Sequence, residues 1–426
     1  MLVPKQIIHV DLDRDLQRLP GGNRDMEIYI VFWWRSVPLG HCQIAGDAAP
    51  MQASELVELA LDTIAPNLKV HLAEHGVAVA CQDSTSTRRS VPERLALWRA
   101  SMRELEQLWS KRRTDNSISV IICTRDRAEH LEVCLQSIRR LSRMPNEILV
   151  VDNAPSTDAT NRLVSRIDGV SYVLEPRPGL DIARNTGIRH STGEIIAYVD
   201  DDVSIHPDWV DGLLRGFRDP AVMALAGLVL ASELTTKSQL IFEQYWSFNR
   251  GYQPLIYAAE FYAKYQRFGV PTWRIGAGAN MAFRRDIFGH VGDFDERLDV
   301  GAAGCSGDSE FWYRVLAAGW KCRYEPTAVV YHRHRATMGG LRRQLFSYMR
   351  GHVAALLIRF ERYAHWGNLI HVGLLAPYYV KLILFGWTKG RERYTTLWQE
   401  ITGCFAGVMF YLKNRGTKAG QHRKNG

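Results

Sequence analysis

From Ser117 onward the chain alternates two patterns. Short apolar runs of strand length, "SISVIICT", "EILVVDN", "GVSYVLE" and "EIIAYV", are separated by stretches whose apolar positions recur every three or four residues, among them "RAEHLEVCLQSIRRL" and "GLDIARNTGIRH". Alternation of this kind predicts a largely parallel α/β sheet covered by helices. After "EIIAYV", Pro207 opens the helix "HPDWVDGLLRGF", with Trp209, Val210, Leu213, Leu214 and Phe217 on one stripe. Ahead of this region, "MEIYIVFWWRSVPLGHCQIAG" reads as two strands around a turn and "SELVELALDTI" as a helix capped by Ser54. "RLALWRASMRELEQLW" adds a connecting helix, and the polar "SKRRTDNS" marks a boundary. Trp33 and Trp34 in the first unit read as packing residues, and no chemistry is assigned to that unit.

Beyond Arg335 the pattern turns basic and apolar. "LRRQLFSYMRGHVAALLIRFERYAHW" sets Leu345, Met349, Leu356 and Phe360 against Arg342, Arg343, Arg350, Arg359 and Arg362, which reads as an interfacial amphipathic helix. "LIHVGLLAPYYVKLILFGW" is apolar for 19 residues and long enough to span a bilayer, yet Pro377 and Lys381 near its middle favour a re-entrant or surface-lying segment. "LWQEITGCFAGVMFYLKNR" reads as a second such helix. The chain thus divides into three units: an α+β accessory unit over 1–114, an α/β unit over 115–338, and a membrane-associating helical tail over 339–426.

Composition adjusts this picture in two places. The hydrophobic fraction of 46% over 426 residues suffices for two or three cores, and the net charge of +8 is modest, with its densest part in Arg342 to Arg362 and "KNRGTKAGQHRKNG". That distribution suits an anionic membrane surface and not nucleic acid. Seven cysteines, including Cys81, are scattered without a C-x-x-C pair, so neither a zinc site nor a disulfide framework is indicated. "MLVPKQIIHVDLDRDLQRL" lacks the lead-in and apolar core of a secretory signal. The expected location is the cytoplasmic side of the cell membrane, peripheral or monotopic.

Candidate chemistry clusters at strand ends, where open α/β sheets bind ligands. Asp200, Asp201 and Asp202 come directly after one strand; adjacent carboxylates repel, and Mg²⁺ or Mn²⁺ would relieve the repulsion. A solvated acidic turn is the simpler alternative. Thr124, Arg125 and Asp126 come after the first strand of the α/β unit, and Asp152 with Asn153 after the second. A carboxylate such as Asp152 can accept from a base ring N–H, which favours uracil- or thymine-type nucleotides, though a cap or turn role is open to each. Further on, Gly276 and Gly278 permit close backbone approach, Asn280 offers donor and acceptor together, and Asp308 lies between a glycine-rich loop and an apolar helix, as an N-cap or a general base. No G-x-G-x-x-G comes after the first strand of this unit and no Walker lysine motif occurs, which leaves a dinucleotide-binding dehydrogenase and a P-loop nucleotidase poorly supported.

The ordered series "VIICTRDR", "LVVDNAPSTD", "RPGLDIARNTGI", "GEIIAYVDDDV", "GANMAFRRDIF", "GDSEF" and "YEPTAVVYHRHR" resembles family 2 glycosyltransferases of the GT-A fold over Ser117 to Arg335. The resemblance implies that Asp200 and Asp202 are the outer members of a D-x-D motif, with Asp202 a metal ligand and Asp200 near ribose and metal. It implies nucleotide contacts at Thr124, Asp126 and Asp152, diphosphate-flanking positions at Arg184 and Asn185, a catalytic base at Asp308, and an orienting acid at Glu310. His332 stands where some relatives supply a metal ligand, with His334 as competitor. Relatives often carry a Glu-Asp pair at the base; here its first member is Gly307. The Q-x-x-R-W signature of processive synthases is absent. The activity implied by the resemblance is that of an inverting, non-processive enzyme taking a UDP- or dTDP-type sugar donor, with Mg²⁺ or Mn²⁺ and a glycan or lipid-linked acceptor. A nucleotidyltransferase and a non-catalytic sugar- or lipid-binding scaffold are the alternatives. The tail is expected to dock on the membrane without carrying the site, so that its removal from about Gly340 spares donor hydrolysis.

Overall fold

The computed structural model describes residues 2–19, 23–48, 50–78, 90–111 and 114–416. Cys81, part of "SKRRTDNS" and the last ten residues of the basic terminus lie outside them. The first unit has strands β1 (Lys5–Asp11), β2 (Glu27–Trp34) and β3 (Val37–Ile44) and helices α1 (Ala53–Glu74) and α2 (Val91–Lys111). The β2–β3 pair is antiparallel, as the turn signal predicts; β1 lies parallel to β2 and was not expected. "KQIIHVD" escapes a pattern search because it is an edge strand that fully buries only Val10. Trp33 and Trp34 pack in the interior. Ser54 is not the cap of α1: the helix starts at Ala53, and the backbone N–H of Gln52 donates to the Glu55 carboxylate at 2.9 Å.

The second unit begins with β4 (Ile118–Thr124), α3 (Ala128–Ile138), β5 (Glu147–Asn153), α4 (Ala159–Val164), β6 (Ser171–Glu175), α5 (Leu180–His190) and β7 (Ile195–Asp200). It continues with β8 (Val203–Ile205), α6 (Trp209–Gly216), β9 (Val222–Ala231), α7 (Lys237–Trp246), β10 (Leu255–Tyr257), α8 (Ala259–Tyr265), β11 (Asn280–Arg284), α9 (Asp286–Val291), α10 (Gly307–Ala317) and β12 (Lys321–His332). These strands make one sheet in the order β10-β12-β9-β11-β7-β4-β5-β6, with β8 on β12. The β7-β4-β5-β6 half is parallel, whereas β11 runs antiparallel to both its neighbours, so the sheet is mixed beyond β7. Order reverses between β4 and β7. Their carboxyl ends therefore open a crevice, with Thr124 on one lip and Asp200 on the other.

Three helices complete the described chain: α11 (Met338–Tyr363), α12 (Gly367–Phe385) and α13 (Leu397–Asn414). The interfacial reading of α11 does not hold. Its stripe of Leu341, Leu345, Val353 and Leu356 is fully buried, Arg359 with it, and Arg350 donates to the carbonyls of Ala302 and Ala303. The apolar face of α11 is thus covered by protein. The exposed apolar residues lie instead on α12 (Val380, Ile383, Leu384, Phe385) and α13 (Trp398, Phe405, Met409). Among the described residues, α12 is the one helix long and apolar enough to cross a membrane, and it runs unbroken through Pro377.

Candidate active site

The acidic cluster is tied to the first strand of the crevice. Thr124 Oγ1 donates to Asp201 at 2.7 Å, and Arg127, immediately before α3, pairs with Asp201 at 2.6 Å and Asp202 at 2.7 Å. Arg335 approaches Asp202 at 3.7 Å. Burial, then the charge of Asp202, pushes Asp200 up to about 6, and burial pushes Asp201 up to about 7. For Asp202, burial acts the same way, but His332 and Arg127 overcome it and hold the group well below the usual carboxylate range.

From the end of β12, His332 Nε2 lies 3.4 Å from Asp202. Its Nδ1 is 3.0 Å from His334 Nδ1, and His334 Nε2 is 3.1 Å from Glu243. This relay sets the tautomers. Glu243 accepts, so His334 Nε2 carries the proton and His334 Nδ1 is the acceptor; His332 Nδ1 then donates, and its Nε2 is the ring atom that faces the carboxylates, the one a cation there would take. His332 is the metal candidate, and His334 stands behind it as its support. Ligand atoms of Asp200, Asp202 and His332 all lie within 4.8 Å of one another. Two carboxylates and one correctly oriented imidazole fit a divalent ion, and the imidazole favours Mn²⁺ over the more oxygen-selective Mg²⁺.

At the end of β5, the fully buried Asp152 accepts from Tyr172 at 3.0 Å, while its other oxygen has no hydrogen-bonded donor, the nearby Thr160 notwithstanding. Burial raises its pKa, and a ring N–H would supply the missing donor. Asp126, at φ 53°, is engaged differently: it accepts from the Ser156 N–H at 2.7 Å and hydroxyl at 2.8 Å, bonds that hold its pKa low and latch two loops together. Arg125 is half exposed and lines the cavity.

Opposite the acidic cluster, Arg184 on α5 bridges Asp181 at 2.8 Å and Asp299 at 2.6 Å. A Cβ at Gly278 would stand 3.1 Å from Arg184 Nη2 and 3.2 Å from Asp308 Oδ2, so the bare glycine lets guanidinium and carboxylate share one wall. Asp308 sits inside the first turn of α10, where Ser306 is the cap residue, and accepts from the Ser309 N–H at 2.5 Å. Burial, then Asp299, raises its pKa against the pull of Arg184. Gly307 is explained by its neighbour: the Asp181 carboxylate occupies the space a side chain at 307 would need. Three other sequence candidates lie in the scaffold. Asn185 exchanges hydrogen bonds with the Phe294 backbone, Asn280 donates to the Leu228 and Ala328 carbonyls while accepting from Trp209, and Glu310 is held by Arg314 and Arg362. Asp181, Asp299 and Arg127 were missed, although Asp299 lies in the same acidic, glycine-rich stretch as Asp308 and Arg127 in the motif after β4.

Thr124, Arg125, Arg184, the three aspartates, Asp308 and His332 line one cavity of about 1560 Å³. The sequence profile of glycosyl transferase family 2 matches residues 119–292, the segment that builds the crevice and its acidic lip. This segment is a family 2 glycosyltransferase domain. A glucosyl-dolichyl phosphate glucuronosyltransferase of Haloferax volcanii is 27% identical over 187 residues, 42% of this chain and 56% of that protein. A pre-mycofactocin glycosyltransferase of Mycobacterium tuberculosis is 26% identical over 52% of this chain and 43% of its own length. The glycosyltransferase AglE of Haloferax volcanii is 25% identical over 57% of this chain and 74% of its own. The chain thus spans about half the length of the first two. A crystal structure of GalNAc-T7 with UDP, GalNAc and Mn²⁺ overlays 55% of this chain and 47% of that one at TM-score 0.40 and 18% identity, too loosely to transfer a ligand position to this family 2 domain.

Proposed function

We propose that the chain is an inverting, non-processive glycosyltransferase that moves one sugar from a UDP- or dTDP-type donor to a hydroxyl of a glycan or lipid-linked acceptor. The observation that carries this reading is the shared cavity, with a carboxylate–imidazole metal set at one wall and a further carboxylate, Asp308, at another. Asp152 accepts from the base, Thr124 and Arg125 border the nucleotide, and Arg184 faces the diphosphate and sugar. Asp200, Asp202 and His332 would hold Mn²⁺ or Mg²⁺, whose charge would stabilise the diphosphate as it leaves. Asp308 takes the proton of the acceptor hydroxyl as that oxygen attacks the anomeric carbon from the face opposite the leaving group, and configuration inverts. Residues 1–114 serve as an accessory unit and 115–338 as the catalytic unit, with the later helices joining it to a membrane surface through α12 and α13. Incubating the protein with a panel of nucleotide sugars and Mn²⁺ tests the reading: release of UDP or dTDP, abolished by Asp202→Ala, is expected. Release of pyrophosphate, or no nucleotide product from any donor, would overturn it.

A further inference from the structure

The catalytic cavity does not end at Asp308. It continues along α12, whose residues His371, Leu374, Leu375, Tyr378 and Tyr379 line it. Their spacing of i, i+3, i+4, i+7 and i+8 puts them on one stripe of the helix. The stripe is apolar apart from the imidazole and the phenol hydroxyls, and it is open: Leu374 is 47% and Tyr378 48% exposed. A sugar ring can stack on the tyrosines but gains little from the aliphatic Leu374 and Leu375, whereas open aliphatic surface inside a binding cavity suits an apolar ligand.

The two ends of the cavity are mechanically joined. Thr272 Oγ1 donates to the carbonyl of Ser309, the residue after Asp308, and also receives Arg359 Nη2 at 3.0 Å. The next residue, Trp273, sits edge-on to both His352 and His371, whose Nε2 atoms are 3.4 Å apart, and His371 Nδ1 lies 3.0 Å from the Phe268 carbonyl. Trp273 and the two histidines therefore mark the change from the polar arm that holds Asp308 to the apolar arm on α12.

From this continuity we infer that the acceptor is an amphiphile: its hydroxyl-bearing head lies at Asp308 and its hydrocarbon tail runs past Trp273 onto the Leu374–Leu375–Tyr378 stripe. The assignment rests on the glycosyltransferase reading and names its acceptor class. The stripe is the wall of a cavity, while the exposed Val380, Ile383, Leu384 and Phe385 of the same helix lie outside its lining and remain free for a flat surface.

A decyl β-D-glucoside bearing a terminal alkyl diazirine, used below its micelle concentration with the full-length protein, UDP and Mn²⁺, tests the inference by photolabelling and peptide mapping. Label is expected within residues 371–379. Unlabelled decyl glucoside should displace it and methyl glucoside should not, because each buried methylene contributes on the order of threefold in affinity. Leu374→Glu, a change at a half-exposed position that the fold tolerates, should reduce the labelling at least tenfold with an unchanged melting temperature. Label confined to Val380–Phe385 or α13, or displaced equally by methyl glucoside, would overturn the assignment. Nucleotide release from the sugar-donor panel is read in the same preparation. Release without stripe labelling sinks the amphiphile alone; labelling without release from any donor sinks the transferase reading and the acceptor assignment with it.

Discussion

Asp308 and the histidine pair carry the sharpest expectations at the scale of single residues. As general base, Asp308→Asn should lower turnover on the order of a hundredfold or more while leaving donor affinity close to that of the parent, as measured by nucleotide-sugar titration beside steady-state rates. The base acts only when ionised. Since burial and Asp299 raise its pKa, the rate should rise with pH through a value above the usual carboxylate range, and the Asn variant should keep only the acid limb set by Asp200 and Asp201, raised to about 6 and 7. Glu243 touches no ligand atom, yet it fixes the tautomer of His334 and through it that of His332. Glu243→Gln should weaken Mn²⁺ affinity about 10- to 100-fold, read from the metal dependence of nucleotide release or by calorimetry. Residues of this kind show how far a sequence can be read. Asp152, Asp200, Asp202 and Asp308 stand out because carboxylates after apolar strands or beside glycine-rich loops have few structural excuses. Asn185, Asn280 and Glu310 look equally suggestive, but partners such as Phe294, Ala328 and Arg362 lie 48 to 109 residues away, and only Glu310 has a local signal, Arg314 four residues on in the same helix.

Among the elements, the parallel β4–β7 half was legible because each buried strand is an uninterrupted apolar run bounded by turn residues. β1 was not, being half-exposed at an edge, and α11 was misassigned for a different reason. Amphipathic periodicity reports that a face needs covering and says nothing of what covers it. Lipid headgroups and α13 satisfy the same pattern. The cover is shared: Ile241 and Phe242 of α7 pack with Leu341 and Leu345, and on α13 Gly403 and Gly407 stack over α11, where a Cβ at Gly403 would stand 2.5 Å from the Phe346 carbonyl oxygen and one at Gly407 2.6 Å from that of Arg350. Gly407→Val should force the helices apart and destabilise the protein by about 1–3 kcal/mol, visible as a lower thermal midpoint. Because Arg350 also holds the loop at Ala302 and Ala303, the same variant should disturb the approach to Asp308 from a distance.

For the whole molecule, burial of α11 changes what truncation does. Cutting at about Gly340 removes a helix whose Leu341, Leu345 and Leu356 are fully buried, so the shortened protein should fail to fold and should release no nucleotide, contrary to the sequence expectation that donor hydrolysis survives; soluble yield and nucleotide release check this. The full chain should stay with membranes through a high-salt wash and leave them in detergent, since the exposed side chains of α12 and α13 are apolar. The arginine beside the acidic lip bears on the life of the protein outside catalysis. Arg127 already counterbalances Asp201 and Asp202 within the chain itself, so the fold should keep its integrity without a bound cation. Chelation should therefore act as a reversible off switch: protein stripped with EDTA should melt within a few degrees of the Mn²⁺-treated sample and regain full turnover on readdition. On the proposed metal-assisted reading, a newly made copy would fold before any ion reaches it and would wait, inert toward its donor, until a divalent cation arrives.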